Sequence, residues 1–350
     1  MKIKKRYLIP SVVIILLVIV AFAMYNMFTS PFYNPGDLKT KEEYKHLLAD
    51  NKLKDTENYF NISNDISLYY TVKGEGSPVL IIHGGPGMPY ERSWKGLEGL
   101  EQNHKFYYYH QRGAGKSTRP FNKFESSNMY ENMKALNIDL GLPAQIADIE
   151  QIRRKLNVDK LTIIGHSFGG FIASLYAIEF PENIDKLILV APAGTMEVSS
   201  GSVDLYGAIE DRLPEDKKED FRKYKEQIFD FDAMFKMSEN ELADLNRGII
   251  PFYNIVNNGN ESTEAPFMGG WVQNATFISM GKKHDYTPHL KNVKCPTLII
   301  YGENDINPIS SVNQYLDNMP NAKLITIPSA THFPFDEQAE AFEKAITSFI

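Results

Sequence analysis

A chain of 350 residues with 44 acidic and 37 basic side chains carries a formal charge of −7. Apolar residues at 43% and aromatic residues at 12% are enough for a sizeable core and exclude a disordered or collagen-like chain. The mild acidity argues against a surface built to wrap nucleic acid, and the lone Cys295 can form neither an intramolecular disulfide nor a Cys-rich zinc site.

The first 36 residues differ in kind from the rest. Lys2, Lys4, Lys5 and Arg6 form a basic cluster, and no charged side chain follows between Tyr7 and Gly36. The apolar run from Leu8 to Phe28 is close to the ~20 residues that cross a bilayer as a helix. It reads as an uncleaved anchor that leaves a single-pass protein in the cell membrane, its remainder outside the cytoplasm. The alternative is a cleaved signal peptide with a small-residue site at Ala21-Phe22-Ala23, which makes the protein secreted. Pro31, Pro35 and Gly36 read as a linker.

Strands and helices then alternate. Tyr59–Ser63 and Ser67–Val72 read as strands joined by the turn residues Asn64 and Asp65. Val79–His83 and Phe106–Tyr109 are short, strand-like apolar runs. Ile146–Leu156 has apolar residues at helical spacing. Leu161–Ile164 is a buried strand followed by a helix over Phe171–Phe180, and Leu187–Val190 is another strand. Leu298–Tyr301, Leu324–Ile327 and a helix over Glu337–Phe349 complete the pattern. Fully apolar strands separated by helices predict a mostly parallel sheet covered on both faces. Residues 195–289 break the rhythm with amphipathic segments such as Lys217–Phe231 and Glu239–Arg247, and read as a helical cap. The expected division is therefore an N-terminal segment (1–36), a core (37–194 with 290–350) and the cap (195–289).

Gly165-His166-Ser167-Phe168-Gly169 stands between a strand and a helix, the setting of a nucleophile elbow, with Ser167 lifted out of the sheet. A serine needs a base, and the base an orienting acid. In this topology they follow in the order Ser, acid, His. Of the histidines after Ser167, His284 and His289 precede the strand Leu298–Tyr301, whereas His332 follows the last strand. Glu303 and Asp305 both lie after Leu298–Tyr301; Asp305 is favoured because it sits deeper in the loop, just ahead of Pro308. The oxyanion donors are expected from the Phe168 and Gly85 amides, with Gly84 shaping the loop in His83-Gly84-Gly85-Pro86-Gly87. No metal or organic cofactor is required. Trp94, Trp271 and Tyr107–Tyr109 are candidates for lining a pocket, although aromatic residues at such spacings are more often core.

Together, the His83–Gly87 string, the Gln111–Ser117 turn, Asp148-Ile149-Glu150 with Arg153 and Leu156, and the Ser167 elbow resemble the proline iminopeptidase family. The resemblance covers most of residues 60–192 and 295–350. It implies an α/β-hydrolase fold and removal of an N-terminal residue, often proline, from a small peptide or amide. In that family, cap carboxylates grip the substrate ammonium. Phe221, Tyr224 and Glu226 echo the family's cap motif loosely, which makes Glu226 a candidate substrate contact. The family usually has an aspartate where this chain has His110. Two other readings compete with the aminopeptidase. One is an esterase, lactonase or amidase acting on a substrate without a free amine; the other is a non-catalytic, membrane-tethered ligand receptor.

Overall fold

The computed structural model describes residues 18–19, 25, 29–90, 92–195, 205–257 and 265–350. Eight strands form one sheet: β1 (Tyr59–Asn61), β2 (Ser67–Lys73), β3 (Ser77–Ile82), β4 (His104–Tyr109), β5 (Leu161–His166), β6 (Ile184–Val190), β7 (Thr297–Gly302) and β8 (Ala322–Ile327). Their order is β1-β2-β4-β3-β5-β6-β7-β8. β1 pairs with β2, and β2 with β4, in antiparallel fashion; from β4 to β8 every neighbour is parallel.

The apolar strands bury both faces because successive side chains point to opposite sides. Leu80, Ile82 and Ile163 enter one core cluster, with Ile146, Phe171 and Tyr315. Val79, Ile81 and Ile164 enter another, with Trp94, Leu97 and Phe342. The first face is covered by α2 (Leu142–Lys155), α3 (Phe168–Glu179) and α9 (Ile309–Asn318), and the second by α10 (Ala339–Thr347) with the 3-10 turn Lys95–Leu100. Helix α1 (Met129–Asp139), which the alternation of apolar runs does not reveal, precedes α2; Asn128 caps its start by accepting from the Glu131 amide.

Between β6 and β7 the described chain is helical: α4 (Leu205–Arg212), α5 (Glu215–Ile228), α6 (Glu239–Arg247), α7 (Ile250–Val256) and α8 (Trp271–Met280), with a single turn at Phe231–Met234. Ser238 starts α6 with a reciprocal capping box: its side chain accepts from the Glu241 amide, and Glu241 accepts from the Ser238 amide. Glu239 anchors α8 to this part of the chain. Its buried carboxylate accepts from the Gly270 and Trp271 amides at 2.8 and 2.7 Å and from Arg119 at 3.0 Å.

Two expectations about the N-terminus are corrected. Among the described residues no helix is long and apolar enough to cross a membrane. The anchor, and the single-pass membrane location that followed from it, are therefore not supported. Most of Leu8–Phe28, including the Ala21-Phe22-Ala23 site, lies outside the described residues. Nor is the Pro31–Gly36 stretch a free linker. Tyr33 is fully buried, and its hydroxyl donates to Glu179 at 2.6 Å; the Gly36 amide donates to the same oxygen at 2.6 Å. The Phe32 and Tyr33 amides donate to the Ser279 carbonyl at the end of α8. The stretch thus binds α3 and α8 together.

Candidate active site

Ser167 sits at the β5–α3 junction with φ 54° and ψ −122°, in a region that residues with a Cβ rarely occupy. The turn is tight on all sides. A Cβ on Gly169 would meet the Ile82 carbonyl oxygen at 2.2 Å, so only glycine lets α3 pack against the end of β3. A Cβ on Gly84 would come 2.9 Å from the Ser167 Cβ and 3.5 Å from its Oγ, which puts the Gly84 backbone against the serine side chain. Gly85 follows at φ 114°, and Phe168 opens α3 directly after the serine. The helix N-terminus therefore faces the place where negative charge would develop.

The loop after β8 carries His332 and the loop after β7 carries Asp305. Both residues are buried, at 5% and 2% exposure. His332 Nδ1 donates to Asp305 Oδ1 at 2.7 Å, which leaves the proton off Nε2 in the neutral ring. The Asn307 amide donates to the same Asp305 oxygen at 2.9 Å. Glu303, the other acid of this loop, is exposed and accepts from the Ser329 amide.

The glycine-containing loops are stitched to one another by histidines. His83 Nε2 accepts the Gln111 amide at 2.9 Å, and the Gln111 side chain donates to the His83 carbonyl at 2.8 Å. Burial lowers the His83 pKa to about 3, which keeps it neutral and able to accept. His110 stands where the resembling family usually has an acid. Its Nδ1 accepts the Lys116 amide at 3.1 Å and its main-chain carbonyl accepts from Ser117 Oγ at 2.6 Å, so the imidazole supplies one of the two acceptors that order this turn. Burial, then Lys116, lower its pKa to about 4.

The substrate-contact candidates fare differently. Trp94 is 1% exposed, stacks on Phe335 at 3.8 Å between ring centres and belongs to the sheet core. Trp271 is fully buried and donates from Nε1 to the Asn122 carbonyl. Both are buried in packed contacts, as aromatic residues at such spacings more often are. Glu226 is exposed, while Phe221 and Tyr224 of the same helix are buried. Two residues beyond Tyr224 is about 200° around a helix, so the carboxylate faces away from the core side. Glu226 is therefore not a contact within the core.

Sequence reasoning missed three groups that converge on the acid and base. Tyr253 of α7 puts its ring 6.2 Å from that of His332, and its buried hydroxyl has no hydrogen-bond partner among the described residues. Burial and the Asp305 carboxylate raise its pKa well above 10. Arg212, at the end of α4, donates to the main-chain carbonyl of Asp305 at 2.6 Å. His166, inside the elbow, contacts the His332 backbone. Each contact joins segments tens of residues apart, and no local motif encodes them.

A family model described as alpha/beta hydrolase fold matches residues 77–339. A curated proline iminopeptidase of Heyndrickxia coagulans is 24% identical over 281 residues, covering 79% of this chain and 91% of its own length. The solved proline iminopeptidase of Mycobacterium smegmatis matches with a TM-score of 0.54 at 17% identity, over 82% of this chain and 95% of that one. The esterase EaEST of Exiguobacterium antarcticum matches with a TM-score of 0.54 at 21% identity, over 84% and 99%. At these identities the two structures speak to the fold alone. The chain belongs to the α/β-hydrolase fold family, and within it resembles the proline iminopeptidases.

Proposed function

We propose that the protein is a serine hydrolase that releases N-terminal residues, proline-type, from short peptides or aminoacyl amides through an acyl-enzyme. The observation that carries this reading is the buried His332–Asp305 pair, bonded at 2.7 Å on the loops after β8 and β7, with the His332 carbonyl against His166 next to the strained Ser167. The curated proline iminopeptidase relative supports the choice of substrate.

In this mechanism Ser167 Oγ attacks the scissile carbonyl and its proton passes to His332 Nε2. Asp305 stabilises the imidazolium and holds the tautomer. The Phe168 and Gly85 amides receive the oxyanion, where one lost donor typically costs about 3 kcal/mol of transition-state stabilisation. His332 then protonates the leaving amine, and water, deprotonated by the same imidazole, hydrolyses the acyl-enzyme. Residues 195–289 act as a cap that selects the substrate, over a core of 37–194 and 290–350.

A second reading keeps the same chemistry on esters or amides without a free amine. The exposed position of Glu226 favours it, since an ammonium held in a buried site needs a paired charge. A panel of proline and alanine amides, each with a free and a blocked amine, beside acyl esters, separates the two. Selective cleavage of free-amine amides supports the peptidase; equal rates on the blocked forms would overturn it in favour of the second reading. Activity that survives intact in Ser167→Ala would sink both.

A further inference from the structure

His166 separates Gly165 from Ser167 in the elbow, and the chemistry above does not use its side chain. It is 2% exposed, and both ring nitrogens are engaged. Nε2 lies 2.8 Å from the main-chain oxygen of His332. A carbonyl can only accept, so Nε2 carries the proton. Nδ1 is then the acceptor, and the Tyr90 hydroxyl donates to it at 2.5 Å. Aromatic packing fixes the hydroxyl: the Tyr90 ring sits edge-on to Trp94 and Phe335 at 5.2 and 5.8 Å, and those two rings stack on each other.

The chain of bonds therefore runs from Tyr90, in the connection after β3 that also carries Gly84, through His166 to the backbone of the residue that bears the base. We propose that Tyr90 and His166 form a positioning pair that fixes the His332 main chain relative to Ser167 and the Gly84 loop. The inference rests on the serine-hydrolase reading. The pair needs a neutral His166. An imidazolium there would lose the lone pair that Tyr90 donates to. It would also set a positive charge 4.7 Å, ring centre to ring centre, from His332 as that residue takes the serine proton. Burial first, then the neighbouring His332 and His83, depress the His166 pKa well below the usual histidine value. The other groups facing this cluster are Asp305 and Tyr253 beside His332, and Asp336 near Tyr90.

The test uses the rate at which a fluorophosphonate labels Ser167, together with kcat and KM on p-nitrophenyl acetate. Labelling of the wild type but not of Ser167→Ala establishes the serine reading independently of the pair. Tyr90→Phe keeps the ring and removes one hydroxyl; it is expected to slow labelling and kcat about tenfold, the worth of one hydrogen bond, with KM within about twofold. His166→Phe removes both bonds and is expected to lose more. His166→Gln places an N–H near the former Nε2 and is expected to recover most of that loss. Nitrogen-15 NMR of the imidazole gives a readout without catalysis, expected to report a neutral His166 with Nε2–H. The proposal is overturned if Tyr90→Phe labels at the wild-type rate, if His166→Gln is as slow as His166→Phe, or if His166 is an imidazolium near pH 6. If the wild type is not labelled, the serine reading fails first and the pair has no base to position.

Discussion

Arg212 donates to the main-chain carbonyl of Asp305 at 2.6 Å, so the last residue of α4, in the helical insertion, grips the loop that presents a carboxylate to His332. A second nitrogen of the same guanidinium reaches the Asn304 carbonyl at 3.4 Å. A helix of the insertion and the acid loop of the sheet are thereby mechanically joined.

Arg212→Ala should loosen the acid loop without emptying the core, because the side chain lies at the surface. The expected outcome is a fall in kcat of roughly 3- to 10-fold, in line with one charge-assisted hydrogen bond that is partly solvated. Steady-state kinetics beside thermal melting check it: an unchanged kcat would mean that the loop holds its shape unaided.

Asp305→Asn tests the acid directly. An amide can present its N–H to His332 Nδ1 and thereby favour the wrong tautomer. A kcat about 10^4-fold lower on the best substrate of the panel is expected, with the melting temperature little changed. Retention of a tenth or more of the activity would assign the orienting role elsewhere.

Glu239→Ala removes the carboxylate that receives the Gly270 and Trp271 amides and Arg119. Two buried N–H groups and a cation lose their acceptor together. A destabilisation of about 2–4 kcal/mol is expected, and about half of that for Glu239→Gln. Urea unfolding followed by fluorescence measures both; a loss below about 0.5 kcal/mol for the alanine variant would contradict this account of how α8 is held.

The pH dependence of stability should carry a histidine signature. An unfolded histidine takes up its proton near 6.5, but folded His110 does so only at about 4. Between those values the unfolded chain binds more protons, so the His110 contribution is intact above 6.5 and is lost as the pH falls towards 4. Burial raises the carboxyl pKa of Glu179 and Glu239, and their titration works in the opposite direction. The comparison with a variant isolates the histidine. His110→Asn cannot titrate, and its acid-side fall in melting temperature should be shallower by roughly 2–6 °C. Parallel curves for the two proteins would disprove it.

The sheet was readable because its interior strands are short and largely apolar, and each was anticipated to within a few residues, from Val79–His83 to Leu298–Tyr301, as was the edge strand at Leu324–Ile327. The pairing of Asp305 with His332 was readable because strands punctuate the chain and place the two residues on neighbouring loops, and the tight turn at Ser167 because it needs glycines at fixed offsets. For Glu226 a motif echo fixes spacing along the chain but not the direction in which a helical side chain points, and its exposure was not legible there. Trp94 and Trp271 look alike in sequence as pocket or core, and burial alone separates the two roles. Arg212 with Asp305, and Tyr90 with His166, lie 93 and 76 residues apart, and such pairs become visible only once the sheet has brought their loops together.

The left-handed backbone of Ser167 has a consequence beyond reactivity. A non-glycine residue held there stores about 1–3 kcal/mol of conformational strain, and glycine would release it. Directed evolution of this protein for heat resistance, scored without an activity readout, would be drawn to Ser167→Gly, which exchanges the proposed nucleophile for a sturdier fold.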